Sequence, residues 1–432
     1  MRNVLDRAAA FARSDFARHG LIVFVATTLQ NGLGYAFHFA ISRKLGVEQY
    51  GVLSALNAAF MLSMVIGAIA ATVAVKYAAE FRATHDRAHL AALVRRLTIF
   101  GGLGMVLVAL TGIACSGAIA GFLKITNIGA VVLTMIVIGF SVVTPPLRAV
   151  FSGMEDFGAY SISLVLESVL KAILGIGLVY AGFGVAGAFG GWAIGSFVTL
   201  LYTATVLNRR YRRVVGAELS IDYRRLGLTM ASVAGATLLL ATLNYADLLV
   251  VKHFADPTTA GLYGALSLSG KILLFLVAFV PTVVLPKASR QALAGVSPVA
   301  VLLQALYVTV AMSGAGLVVY YVFPAFIITT LAGASFAPAA PYVFSYGVAT
   351  VLLAGLSVVV TYKMGIHRFD FIVPLACCAI GEILAISLHH RTLGEVITVL
   401  IVGNAIALVA STWRVNAPYG SSHGVQTARA AA

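Results

Sequence analysis

The sequence predicts an all-α integral membrane protein with about twelve transmembrane helices in two six-helix lobes. Of its 432 residues, 60% are hydrophobic and only 10% are charged, and the mean hydropathy is +0.98. A soluble globule of this size carries much more polar surface, so the natural solvent of this chain is a lipid bilayer. The apolar runs are long and continuous, which favours helices of ~20 residues over the ~10-residue alternating strands of a β-barrel.

An internal repeat predicts the two lobes. The motif YGVLS at Tyr50–Ser54 returns as YGALS at Tyr263–Ser267, 213 residues later. A second motif, GMEDF at Gly153–Phe157, has its counterpart GIHRF at Gly365–Phe369, 212 residues later. Because both pairs have nearly the same offset, the two halves are expected to be parallel repeats of six spans each. That geometry is typical of transporters in which two lobes move about a central site.

Polar breaks divide the chain into five regions with distinct predicted roles. Residues 1–19 carry arginines among apolar residues, which is typical of a short amphipathic helix on an anionic membrane surface. The N-terminal lobe takes 20–207, a basic linker with six arginines takes 208–225, the C-terminal lobe takes 226–413, and 414–432 is a flexible cytoplasmic tail. The twelve spans run at about 20–43, 50–79, 93–116, 127–150, 158–181, 184–207, 226–252, 260–285, 298–322, 337–361, 369–388 and 392–413.

The Lys and Arg residues are strongly biased to one side of this topology. Twenty-one of the 29 lie on the side of the two termini, five lie on the opposite side, and three lie within spans. The positive-inside rule therefore places both termini in the cytoplasm. The formal net charge of +14 is explained by topology and by contact with anionic lipid. It does not indicate nucleic-acid binding, since no folded basic domain is predicted.

Three lysines fall inside predicted spans, where a charge costs ~2.5–3.5 kcal/mol even on the lenient insertion scale. Lys171 is near the middle of the fifth span, Lys271 is near the middle of the eighth, and Lys76 is close to the end of the second. A water-filled cavity lined by lysines suits an anionic substrate, because ammonium groups bind phosphate as point charges. The alternative for Lys76 is a solvated helix end from which the side chain reaches the interface.

Three carboxylates also lie within spans. Glu167 precedes Lys171 by four residues and shares its helix face, which leaves open a structural neutralising pair or a substrate-facing one. Asp247, Glu382 and Glu167 are candidates for binding a coupling cation, and ordinary polar contacts in a helix bundle are the alternative. No cofactor is expected beyond such a Na⁺ or H⁺. The three cysteines form no metal-site pattern.

Two further patterns predict backbone features. The segment 182–187 matches GxGxxG, but it lies between two spans without the strand–helix context of a dinucleotide site, so a tight turn is expected. Pro145 with Pro146 in the fourth span, and Pro281 with Pro286 in the eighth, are expected to break or kink their helices.

Several short motifs together resemble the Wzx-type polysaccharide flippases of the multidrug/oligosaccharidyl-lipid/polysaccharide exporter superfamily. The segment LGVEQYG at Leu45–Gly51 is similar to the LG.eeYG motif that precedes the family's second span. The segments NYAD at Asn244–Asp247, GLYGA at Gly261–Ala265 and PKASR at Pro286–Arg290 are similar to the family's N-x-x-D, GlYsaA and P.lsr motifs. The resemblance covers most of the first ~290 residues.

The resemblance implies a MATE-like, V-shaped transporter whose two lobes enclose a cationic cavity. Its substrate would be an undecaprenyl-diphosphate-linked oligosaccharide, moved from the cytoplasmic to the periplasmic leaflet of the bacterial inner membrane by alternating access. A basic residue is common in the family's eighth span, and Lys271 fills that position. The implied partners are membrane lipids, glycosyltransferases and a polysaccharide polymerase, in the biosynthesis of lipopolysaccharide O-antigen, exopolysaccharide or capsule.

The functional hypothesis is therefore a flippase without enzymatic activity. Lys271 and Lys171 would hold the diphosphate, while His38, Asn31 and Asn57 of the first two spans would contact sugar. Interhelical hydrogen bonding is the alternative for His38. One rival is a cation-coupled multidrug exporter, which needs a cavity rich in carboxylates and aromatic residues. A second rival is a membrane polysaccharide polymerase or transferase, which needs large loops with catalytic groups, whereas the predicted external loops are short.

Overall fold

The chain divides into two compact units, 1–224 and 225–432, in a computed structural model that describes residues 15–211, 223–294, 296–413 and 415. The predicted surface helix at 1–19 lies outside the described residues up to position 14. The same is true of 212–222 in the predicted linker and of the predicted tail, apart from Val415.

The described part of the N-terminal unit contains six α-helices. They are α1 (Asp15–Ala83), α2 (Arg87–Ala114), α3 (Ser116–Phe122), α4 (Ile128–Gly153), α5 (Phe157–Leu178) and α6 (Gly184–Tyr211). Helix α1 contains the first two predicted spans and is interrupted at Gly46, whose φ of 73° leaves the helical region. A one-turn π-helix at Val179–Phe183 joins α5 to α6. Gly182 and Gly184 there have φ values of 98° and 55°, so the GxGxxG segment forms the expected turn.

Eight further α-helices form the part of the C-terminal unit that the structure describes. They are α7 (Tyr223–Phe254), α8 (Pro257–Val277), α9 (Phe279–Leu293), α10 (Val299–Val322), α11 (Pro324–Ala332), α12 (Val343–Gly365), α13 (Ile372–Leu388) and α14 (Leu393–Thr412). A 3-10 segment, Ala334–Tyr342, precedes α12. Asp256 starts α8 because its carboxylate accepts the N–H groups of Thr258 at 3.0 Å and Thr259 at 3.1 Å.

Of the four prolines expected to break or kink a helix, Pro281 lies next to a break, whereas Pro145, Pro146 and Pro286 lie inside continuous helices. The eighth predicted span breaks between α8 and α9 at Ala278, as expected for Pro281, because this proline cannot bond the carbonyl of Val277 and its ring crowds that carbonyl. In contrast, α4 continues unbroken through Pro145 and Pro146, where a break or kink is predicted. The carbonyl of Ser141, which Pro145 leaves without its helical donor, faces the backbone of Gly67 in α1; a Cβ at Gly67 would overlap that oxygen.

The all-helical membrane class is confirmed. The described residues contain no strand, and nine of their helical segments are long and apolar enough to cross a bilayer. Two of these segments, His19–Ala83 with 65 residues and Phe157–Tyr211 with 55, are long enough to cross twice. The shorter apolar helix Ile372–Leu388 adds one more crossing, which gives the predicted twelve within the described part of the chain.

Helix α2 shows how the bundle meets lipid. Its large apolar side chains recur on one exposed face, where Phe100, Leu103 and Leu107 are each more than 60% exposed. Its other face packs on α4. A water-soluble protein rarely exposes such a continuous apolar stripe, whereas a helix at the edge of a membrane bundle does so because its outer face contacts lipid.

The two copies of the GMEDF-like motif form the same helix-ending turn. Glu155 follows α4 with a φ of 55°, and His367 follows α12 with a φ of 54°. In each turn the next residue donates its N–H to the carbonyl five residues earlier, at 2.8 Å in the first copy and 2.9 Å in the second. Arg82 pairs with Glu155 at 2.6 Å and lowers the pKa of that exposed carboxyl.

The two copies of the YGxLS motif are equally alike. Tyr50 and Tyr263 are fully buried, and each hydroxyl reaches back to a polar residue of the preceding span. Tyr50 bonds Nδ1 of His38 at 3.1 Å, and Tyr263 donates to Asp247. The duplicated tyrosine therefore has one structural role and two chemically different partners.

Candidate functional site

In the N-terminal unit, the ammonium of Lys171 lies over the rings of Trp192 and Phe37, and these two rings with Phe60, which packs on Trp192, are called the aromatic box. The Nζ atom of Lys171 is 3.4 Å from the centroid of the Trp192 ring and 4.9 Å from that of Phe37. Phe60 meets Trp192 edge-on at 4.3 Å. The electron-rich face of an indole attracts an ammonium group, so the aromatic box stabilises a cation without neutralising it.

Glu167 does not serve as the counter-ion of Lys171. Its Oε2 atom pairs instead with Arg148 of α4, and its Oε1 atom accepts a hydrogen bond from Ser196 of α6 at 3.3 Å. Glu167 and Lys171 both lie on α5, but the ion-pair partner of Glu167 comes from α4. For the same reason Glu167 is not free to take up a coupling cation in this arrangement. The structural or substrate-facing role of the Glu167–Lys171 pair stays a prediction.

Close packing of α5 on α6 brings these groups together. Gly187, Gly191 and Gly195 recur every four residues along α6 and face α5. A Cβ at Gly195 would lie only 3.1 Å from the backbone nitrogen of Lys171, and one at Gly191 would overlap the backbone of Gly175. Small residues at this spacing let two helix backbones approach closely in a membrane.

We expect Gly191→Ala to destabilise the N-terminal unit by about 1–3 kcal/mol, because the added methyl collides with backbone that cannot move aside. The matched control is Gly190→Ala, whose Cβ would meet only side-chain atoms at 3.6 Å and 3.8 Å. Thermal unfolding of the detergent-purified variants measures the difference. Equal melting temperatures for the two variants would contradict the close approach of α5 and α6.

Beside the aromatic box, a small recess contains two of the predicted sugar-contacting residues. His38 and Asn57 line it together with Phe37, Phe189 and Trp192. The other predicted residues lie elsewhere: Asn31 is exposed on α1, and Lys76 is exposed near the end of the same helix, 5.9 Å from the Tyr77 ring. The structure thus groups His38 and Asn57 with Lys171, and separates Asn31 and Lys76 from them.

The C-terminal unit contains a second recess around Lys271, with room for a water molecule. The Nζ atom of Lys271 lies 4.7 Å from the centroid of the Tyr245 ring. The other residues that line this recess include Asn244, Asp247, Ser267, Tyr346, Thr350 and Asn404. Lys271 is therefore the counterpart of Lys171 in two respects, since each unit places one lysine on an aromatic face and neither lysine forms an ion pair among the described residues.

Asp247 and Asn404, which line this second recess, and the nearby Glu382 each carry a buried oxygen without a hydrogen-bond donor. One carboxylate oxygen of Asp247, one of Glu382 and the side-chain oxygen of Asn404 have no partner in the described structure. Asp247 is 4% exposed, Glu382 5% and Asn404 2%. Glu382 reaches α14 at Gly403, next to Asn404. Buried oxygens normally carry a donor, so three unpaired ones in a single unit can accept a proton or a hard cation.

Sequence reasoning missed four residues of these two sites. Arg148 lies close enough to the end of its span to be read as a loop charge, and Trp192, Tyr245 and Asn404 carry no formal charge that would mark them. A polar or cationic residue near the end of a span, with a carboxylate one span further on, is the signal that points to Arg148.

Comparisons with known proteins place these observations in a family. The profile of a family described as "Polysaccharide biosynthesis protein" matches residues 16–291. No curated protein sequence matches the chain. Among solved structures, an inward-facing multidrug resistance MATE family transporter of the MOP superfamily has a TM-score of 0.75 at 14% identity, covering 91% of this chain and 96% of its own.

Two further structures show the same fold. The lipid II flippase MurJ in an inward closed conformation has a TM-score of 0.68 at 14% identity, covering 93% of this chain and 87% of its own. A MOP superfamily transporter from Pyrococcus furiosus, described as having a binding pocket of reverse polarity, has a TM-score of 0.54 at 16% identity, covering 93% and 95%. At these identities the likeness shows a shared fold.

Proposed function

The chain belongs to the polysaccharide biosynthesis protein family, and from this premise we propose that it is a flippase for an undecaprenyl-diphosphate-linked oligosaccharide. One observation supports the anionic substrate above all: each unit keeps one lysine on an aromatic ring, with no ion-paired carboxylate, inside a membrane-spanning bundle. A half-buried ammonium on an aromatic ring, with no ion pair among the described residues, suits the binding of a diphosphate. Lys171 and Lys271 are assigned this role, and Lys76 is not, because it is exposed at a helix end.

The recess beside the aromatic box supports a sugar contact. His38 and Asn57 supply hydrogen-bonding groups there, and Phe37 and Phe189 supply apolar surface. This combination suits a sugar, whose ring has polar edges and apolar faces. Asn31 is left out of this contact because it lies apart from the recess on an exposed face of α1.

The membrane, the direction and the pathway are part of the same proposal. The Lys and Arg bias supports an orientation in a bacterial inner membrane with both termini on the cytoplasmic side. The lipid-linked glycan would be moved from the cytoplasmic to the periplasmic leaflet by alternating access. Glycosyltransferases would supply it and a polysaccharide polymerase would consume it, in O-antigen, exopolysaccharide or capsule biosynthesis.

We assign ion coupling to the C-terminal unit. Asp247 and Glu382 are buried carboxylates with unpaired oxygens, and Asn404 adds a third acceptor. A transported Na⁺ or H⁺ would satisfy these oxygens during part of the cycle. Glu167 is excluded from this role because Arg148 and Ser196 occupy its two oxygens.

A multidrug exporter is the second candidate, and the composition of the C-terminal recess favours it. A buried carboxylate, Asp247, lies there with Tyr346, and the Tyr245 ring is close by, which suits an organic cation. Lys271 argues against a cationic substrate in this recess, because a like charge beside it costs several kcal/mol.

A vesicle assay distinguishes the two candidates. Purified protein is reconstituted into liposomes with a fluorescent undecaprenyl-diphosphate glycan, and the outer leaflet is bleached with a membrane-impermeant reductant. Complete bleaching in protein-containing vesicles, against half in empty ones, supports the flippase. Half bleaching in both, together with gradient-driven uptake of ethidium, would establish the exporter instead.

A further inference from the structure

A buried polar network in the N-terminal unit takes no direct part in the proposed function. Arg148 of α4 is only 9% exposed. Its Nε atom donates to Oγ of Ser163 at 3.0 Å, and a terminal nitrogen pairs with Glu167. Ser163 in turn bonds Thr203 of α6 at 2.9 Å. Two charges stay buried together only when such bonds satisfy both of them.

The network changes the electrostatic environment of Lys171. Glu167 and Lys171 are four residues apart on one helix face, a spacing at which opposite charges attract. With Glu167 engaged by Arg148 and Ser196, the ammonium of Lys171 rests on Trp192 instead, at 3.4 Å from the ring centroid. A cation–π contact holds a cation more weakly than a buried carboxylate does, so an incoming anion can displace it.

We propose that Arg148 and Trp192 are positioning residues for Lys171: Arg148 withdraws Glu167, and Trp192 holds the ammonium until the diphosphate of the lipid-linked substrate takes it. This inference rests on the proposed function and assigns residues that act through Lys171 rather than by touching substrate. It also gives a reason for the buried arginine of α4, which pairs with the carboxylate one helical turn before Lys171.

A series of charge-neutralising variants tests the role of Arg148. In Arg148→Gln, Glu167 loses its partner and turns to Lys171, so diphosphate affinity falls roughly 10-fold or more. In the double variant Arg148→Gln/Glu167→Gln, the competing carboxylate is gone and affinity returns to within roughly 3-fold of the parent. Ser163→Ala is the matched control, because it removes one hydrogen bond to Arg148 and leaves all charges in place.

The chain offers a built-in reporter, since it contains only two tryptophans, Trp192 and Trp413. In a Trp413→Phe parent, Trp192 is the only tryptophan, so the tryptophan emission reports on this site alone. Farnesyl diphosphate, titrated into the detergent-purified protein, should change this emission saturably as the ammonium leaves the ring. Farnesol, which has the same chain without the diphosphate, should have no such effect, and Lys171→Gln should abolish the response.

The outcomes separate this inference from the function on which it rests. Weak binding by an Arg148→Gln variant that keeps the melting temperature of the parent, with rescue by the double variant, supports it. A loss of binding that parallels a loss of stability, with both restored in the double variant, overturns it, because a purely structural ion pair behaves in that way. Parent-like binding by Arg148→Gln, or no rescue in a monodisperse double variant, overturns it. If the parent flips the lipid-linked glycan but its Trp192 emission does not respond to farnesyl diphosphate, the inference about Arg148 and Trp192 is overturned and the flippase function is retained. A parent that neither binds nor flips overturns the proposed function itself.

Discussion

Replacement of both Lys171 and Lys271 by Gln is expected to abolish transport of the lipid-linked glycan while the protein still folds. Each lysine contributes a charge-assisted contact of about 1.5–3 kcal/mol to a bound diphosphate. Loss of one contact corresponds to roughly 10- to 150-fold in affinity, so the single variants should be impaired and the double variant inactive. The bleaching assay in vesicles measures this directly.

Folding is expected to survive because neither lysine holds a structural ion pair. Their ammonium groups lie over the rings of Phe37, Trp192 and Tyr245, and the described residues form no ion pair with either of them. The matched control is Lys76→Gln, which removes an equal charge from an exposed position near the end of α1. If the double variant elutes as a monodisperse protein and transports like the parent, neither lysine belongs to the substrate site.

Neutralising the carboxylates of the C-terminal recess is expected to uncouple transport from the ion gradient. Asp247→Asn and Glu382→Gln keep the size of each side chain and remove the negative charge. Buried oxygens without donors are costly unless a proton or cation satisfies them, so removing the charges removes the reason for an ion to bind. Vesicles carrying either variant should ignore an imposed Na⁺ or H⁺ gradient, yet still equilibrate the labelled lipid.

Asp256→Asn provides the control for this second prediction. Asp256 is an N-cap at the start of α8, and Asn caps a helix as well as Asp does, so coupling should persist. Sodium-22 uptake and the release of a trapped pH dye identify the ion. Gradient-driven accumulation that survives in both Asp247→Asn and Glu382→Gln would exclude these carboxylates from coupling.

Hydropathy was sufficient to predict the helices and most of their limits. Whether a segment crosses a bilayer depends on its own apolar surface and backbone hydrogen bonds, and both are properties of consecutive residues. The effects of proline were predicted only in part: α4 continues through Pro145 and Pro146 without a break, and the carbonyl that Pro145 leaves free faces the backbone of Gly67 in α1. Pro281 broke its helix as predicted.

The candidate site was predictable only in part. Lys171 and Lys271 stand out in sequence because a charge in an apolar run is costly and conspicuous. Their surroundings do not, because Trp192 reaches Lys171 only through the close contact of α6 with α5. The same holds for Arg148, whose bond to Glu167 joins residues 19 positions apart.

The sequence by itself determined the membrane class, the number of spans, the duplication and the presence of isolated charges in the bilayer, since all of these are written in local composition and spacing. Only the tertiary structure decided which charges are neutralised. Glu167 is one helical turn from Lys171, and helical spacing alone favours that pair. The packing of α4, α5 and α6 pairs Glu167 with Arg148 and places the ammonium of Lys171 over the indole ring of Trp192. Side-chain partners across helices depend on packing that no single segment encodes.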